Sequence, residues 1–144
     1  MGSVVAIENR RRRSVAARVV LLTLLLGATV VVSWFGIRRN VFNGPGRFLD
    51  ETWLVIWAVQ ALLAFGLVLG VEWMWPSGSR RAVAGTVLAA WIGELFVVAV
   101  LAPFLADELE VWHAPWVWLI ATGFIVQPIA AIGGGLVARG WRRP

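Results

Sequence analysis

Hydrophobic and polar positions along this chain fall into four long apolar runs, at 19–37, 53–71, 82–106 and 115–138, separated by short polar breaks. Each run is long enough to cross a bilayer, because about 20 helical residues at a rise of ~1.5 Å span a hydrocarbon core of ~30 Å. The period-2 alternation of barrel strands is missing, and backbone amides in hydrocarbon must be satisfied within their own segment. The pattern therefore predicts an all-α, polytopic integral membrane protein with four transmembrane helices. The breaks carry turn chemistry: Asn43, Gly44, Pro45 and Gly46 in the first, Pro76, Ser77, Gly78 and Ser79 in the second, and an acidic stretch ending at Pro115 in the third. These are loops and not domains. The expectation is a single four-helix transmembrane domain over 1–144, with a short basic segment at 1–18.

Composition supports this reading. Of 144 residues 60% are apolar and 15% charged, against roughly 45–50% and about 25% in a soluble domain. There is no cysteine and one histidine, His113, so disulfides, thiol catalysis and Cys/His zinc sites are excluded. No nucleophile paired with a base and no phosphate-cradling glycine loop can be assembled, so no enzyme, cofactor or metal is expected.

All thirteen basic residues are arginine, and ten of them fall on one side if the N-terminus is cytoplasmic, leaving Arg38, Arg39 and Arg47 outside. The positive-inside rule then puts both termini in the cytoplasm. The first run is too long for a signal-peptide core and reads as a retained anchor. Arg10, Arg11, Arg12, Arg13 and Arg18 beside it read as a topology determinant that attracts anionic lipid, with membrane lipids as partners and no nucleic acid. Exclusive use of arginine over lysine suggests a GC-rich bacterial genome, and hence the bacterial inner membrane.

Ten tryptophans follow the same geometry. Trp34, Trp53, Trp112, Trp116 and Trp118 are expected at the outer interface, and Trp73, Trp75 and Trp141 at the inner one, where an indole keeps its ring in apolar surroundings and its N–H near water. Trp57 and Trp91 lie well inside their spans and are expected to need an internal acceptor, a lipid or a partner as buried aromatic contacts. Asp107, Glu108, Glu110 and His113 read as a solvated outer rim.

Three polar residues interrupt the runs: Gln60, Glu94 and Gln127. Counted from the expected helix starts, Gln60 lies about 10 Å and Gln127 about 18 Å below the outer boundary, and Glu94 about 18 Å above the inner one, so Gln60 and Glu94 are expected at similar depth. No basic residue lies centrally in any span. Glu94 is thus expected to be protonated, or paired by something outside the chain. It has three candidate roles: a hydrogen-bonding tie between helices, a contact with a partner subunit, or a proton- or cation-transport site.

Small residues at Gly66, Gly70, Gly85, Ala89, Gly93 and Gly134 have the spacing of close helix packing. Pro128 is expected to kink the fourth span and to leave the carbonyl of Phe124 without its backbone donor. A faint echo relates the stretch from Gln60 to that from Gln127 at an offset of 67.

The expected function is that of a small non-catalytic subunit that stabilises or modulates a larger membrane complex, such as a lipid or solute transporter or a respiratory assembly. The alternative is a homo-oligomeric proton- or cation-coupled transporter using Glu94. In size and topology the chain is similar to small multidrug-resistance exporters. Those carry their essential acid in the first span, where this chain has none, so no residue role is carried over.

Overall fold

In a computed structural model the described residues are 2–41, 52–106 and 123–142. They form four α-helices: α1 (Gly2–Val41), α2 (Thr52–Met74), α3 (Arg80–Ala106) and α4 (Gln127–Trp141). No strand occurs among them. Two stretches, Arg13–Ser33 of α1 and Leu54–Met74 of α2, are long and apolar enough to cross a membrane. The basic stretch expected to precede the first span continues the same helix, which starts at Gly2.

The principal helix contacts are α2 with α4, α1 with α3, α3 with α4 and α1 with α2, so the bundle runs α1, α2, α4, α3 around its axis. Side-chain pairings fix the directions. Residues 18 and 72 meet, as do 29 and 60, so α1 and α2 are antiparallel. Gly123 lies against Trp57 and Gly134 against Phe65, so α2 and α4 run parallel. Leu22 and Leu26 of α1, Ala64 and Val68 of α2, Val87 and Ala90 of α3 and Ala131 of α4 form the core. Ala64, Ala90 and Ala131 place a small side chain from each of three helices in this core, where larger ones would hold the backbones apart.

The fourth helix differs from the expected span. Pro128 lies in its first turn, after the N-cap residue Val126, and therefore opens the helix where the sequence suggested a mid-helix kink. Proline is tolerated there because its absent N–H would have no intrahelical partner to lose. A turn precedes it, with the Val126 N–H donating to the Gly123 carbonyl at 3.0 Å. Gly123 has a φ of +72°, and a Cβ there would come 3.1 Å from Trp57 Cδ1. Conformation and space both call for glycine at this position. The expected start of the span at 115–122 and the acidic rim with His113, Trp112, Trp116 and Trp118 lie outside the described residues.

The small residues divide in two. Gly134 and Gly93 sit at real close approaches, Gly134 against the Phe65 backbone and Gly93 against Thr23, whose Oγ1 would be 3.0 Å from an added Cβ. Around Gly66, Gly70 and Gly85 there is open space for a Cβ, and Ala89 is exposed. Their expected close packing within this chain is therefore not made. Spacing along one helix fixes a face but does not decide which neighbour that face meets.

Candidate functional site

Two polar clusters lie inside the bundle, one near its middle and one at the end where α2 and α4 finish. The middle cluster holds all three of the polar residues singled out from sequence: Gln60, Glu94 and Gln127 are each 0% exposed. What changes is the depth expected for Gln127, which lies level with Gln60 and not below it. Gln60 and Gln127 meet at one residue of α1, Thr29, because α4 begins at Gln127 and its depth cannot be counted from Pro115.

The bonds of this cluster form a chain across three helices. Ser33 Oγ donates to Gln60 Oε1 at 2.7 Å, and Gln60 Nε2 donates to Thr29 Oγ1 at 2.5 Å. Gln127 Nε2 donates to Thr29 Oγ1 at 3.1 Å and to the Leu26 carbonyl at 3.3 Å. The Thr29 hydroxyl closes locally, donating to the same carbonyl at 2.7 Å. In an apolar interior such ties contribute about 0.6 kcal/mol each, up to about 1–2. Glu94 of α3 stands beside them with the Gln127 side chain within hydrogen-bonding reach. Neither of its carboxyl oxygens makes a well-aligned hydrogen bond, and Gln127 Oε1 is likewise without a partner.

Trp91 finds its acceptor inside the chain. Its indole N–H donates to the Phe124 carbonyl at 3.0 Å, and the two rings stack with centroids 4.8 Å apart. Sequence reasoning marked an indole in need of an acceptor and a carbonyl without its donor as separate features. They satisfy each other. Trp57, half-buried, and Gln60 both lie against Gly123.

The second cluster was not anticipated. Arg18, expected to face anionic lipid, is only 6% exposed and forms an ion pair with Glu72 at 3.3 Å. Arg18 Nη2 donates to the Trp75 carbonyl at 2.7 Å, and Nη1 also donates to Ser77 Oγ. Glu72 Oε2 accepts the Ser77 N–H at 2.8 Å, while its Oε1 accepts the Ser77 hydroxyl. Arg139 Nη1 donates to the Ser77 carbonyl. The Glu72 carboxylate of α2 thereby holds α1 and the α2–α3 turn, and α4 joins the cluster through the Ser77 carbonyl. The buried guanidinium is a bonding member of the fold, which corrects the lipid-facing role for Arg18.

Around this cluster Trp73, Trp75 and Trp141 are exposed at the same end. The Arg18 guanidinium lies 5.2 Å from the Trp75 ring centroid, and that of Arg142 lies 5.2 Å from Trp73, contacts of cation–π geometry. Arg13 is exposed on α1, and the side chains of Arg10, Arg11, Arg12, Trp34 and Trp53 lie outside the described ones. Compared with known proteins, the chain matches no family model, no curated protein and no solved structure.

Proposed function

We propose that this chain is a four-span protein of the bacterial inner membrane, both termini cytoplasmic, serving as a small non-catalytic subunit of a larger membrane assembly such as a lipid or solute transporter or a respiratory complex. Membrane residence is supported by the outward surface. Phe96 is 75% exposed, Ile129 74% and Leu62 71%, an apolar exterior that hydrocarbon covers without penalty and water does not. The Trp73, Trp75 and Trp141 rim beside exposed Arg80, Arg81 and Arg142 suits the headgroup zone of the cytoplasmic leaflet.

The observation that carries the subunit reading is the orientation of the unused small residues. Gly66, Gly85 and Ala89 face outward on α2 and α3, and open space surrounds both glycines. Glycine inside a helix costs about 1 kcal/mol relative to alanine, and in lipid its compensating use is to let another helix come close. Gly85 and Ala89 have the four-residue spacing of such a seam. Trp91 and Glu94, which the sequence left needing cover, are covered by the bundle's own helices, so they do not contribute to this argument.

Purification of the tagged full chain in a gentle detergent is the test. Stoichiometric co-purifying proteins, lost in Gly85→Leu while the monomer stays folded, are the expected result. A monodisperse assembly of this chain alone that moves protons or cations in liposomes would reject the reading. It would favour the second one, a coupled carrier, for which the unpaired carboxyl of Glu94 is the specific support; in that case Glu94→Gln abolishes flux.

A further inference from the structure

Among the described residues, three buried side-chain oxygens lack a hydrogen-bond partner, and they belong to just two residues: both carboxyl oxygens of Glu94 and Oε1 of Gln127. We infer that Glu94 and Gln127 form a binding site for a single proton, in which the Glu94 O–H donates to Gln127 Oε1 and so joins α3 to α4. The inference rests on the bundle alone and holds whether the chain is a subunit or a carrier.

The orientation of the Gln127 amide carries the argument. Its other end meets the Leu26 backbone carbonyl at 3.3 Å, and a carbonyl can only accept. The NH2 group must therefore point to α1, where it also reaches Thr29 Oγ1 at 3.1 Å. That leaves Oε1 buried and without a partner, on a side chain within hydrogen-bonding reach of the Glu94 carboxyl. Two acceptors repel, and a glutamine carbonyl has no form that donates. The acid does: protonated, it supplies one O–H, and each unmet acceptor in a buried network weighs against the fold.

A metal cation fits less well. Three oxygens on two side chains fall short of the roughly six or more that hard cations gather. Nor does a charged side chain among the described ones offer a counter-ion at this level. Thr29 on α1 and Gln60 on α2 are neutral. Arg18 on α1 is about 12 Å along its helix from Leu26, while Glu72 on α2 and Arg139 on α4 are about 18 Å along theirs from Gln60 and Gln127, and Arg80 and Arg81 on α3 about 20 Å from Glu94. If Glu94 loses its proton, the available donor is the Gln127 NH2, which must turn and release both of its bonds to α1. With the proton bound α4 is tied to both α1 and α3; its loss costs the α4–α1 tie and leaves only that to α3.

Infrared spectroscopy of the full chain in lipid nanodiscs reads this directly. At neutral pH the wild type is expected to show the C=O stretch of a protonated, hydrogen-bonded carboxyl, shifting in D2O. Glu94→Gln removes that band, and Gln127→Leu moves it to the position of a carboxyl without a partner. Exchanging sodium for choline leaves it in place. Should Glu94→Gln fail to fold, Gln127→Leu and the D2O shift in wild type test the same assignment. Absence of a protonated-carboxyl band at neutral pH, indifference of the band to Gln127→Leu, or its loss on adding sodium would overturn the proposal.

Discussion

Gly134→Ala is the sharpest perturbation of this bundle, because the obstacle it meets is backbone. A Cβ at 134 would fall 3.0 Å from the carbonyl carbon of Phe65 and 3.1 Å from its Cα, and closer again to its oxygen. Carbon atoms in comfortable contact sit about 3.5–4.0 Å apart, so α4 and α2 must part by roughly 1 Å along their shared face. No rotamer change on Phe65 relieves this. Overpacking of this kind costs about 1–3 kcal/mol, while alanine as a helix former returns about 1 kcal/mol. The expected net loss is about 1 kcal/mol, and larger for Gly134→Val. Its neighbour provides the control: a Cβ at 133 would lie 3.8 Å from the Phe65 ring carbons, an ordinary contact. Gly133→Ala should therefore stabilise the chain by a few tenths to about 1 kcal/mol. The assay is reversible unfolding of the detergent-purified protein by added SDS, followed by tryptophan fluorescence. If Gly134→Ala matches or exceeds wild-type stability, or if the two variants shift together, the parallel close approach of α2 and α4 is wrong.

Trp91→Phe keeps most of the stack on Phe124 but removes the donor to its carbonyl, and should cost about 1–3 kcal/mol in the same assay. Glu72→Leu strands a buried guanidinium and should destabilise by about 3–5 kcal/mol, while the Arg18→Met, Glu72→Leu double variant loses less than the sum of the two single changes, as measured in a double-mutant cycle. Arg18→Lys should rescue poorly, because one guanidinium here serves Glu72, Ser77 and the Trp75 carbonyl at once. Fluorescent-protein and alkaline-phosphatase fusions at either terminus should report the cytoplasm; an active phosphatase fusion at the C-terminus would refute the proposed orientation.

The sequence disclosed most about the elements and least about who meets whom. Long apolar runs between polar breaks were sufficient for α1 to α3, since helix is the form that satisfies an apolar backbone locally. Gln60, Glu94 and Gln127 stood out because any polar atom in such a run demands a reason. Their mutual placement depended on where α4 begins, and a proline that reads as a kink inside a longer run is in fact part of a helix start. Gly134 and Gly85 look alike in sequence; a contact 69 residues away in the first case, and open space in the second, separates them. Glu72 escaped notice because its partner Arg18 lies 54 residues earlier and already had an explanation. The available signal was an acid five residues before Ser77 in a tight turn, a spacing that lets one carboxylate cap the turn's N–H.

Burial of Arg18 separates two jobs that are usually assigned to the same charge. In the proposed topology its guanidinium, before the helices have assembled, would still belong to the cationic flank that resists translocation and orients the first segment. Once Glu72 and Ser77 have closed around it, it no longer draws phospholipid headgroups to the finished protein. A screen for lipid dependence that neutralises arginines one by one should consequently find that position 18 alters how the nascent chain is threaded and how firmly it folds, while the annulus of surrounding lipid answers to positions such as 13, 80 and 81, which remain exposed.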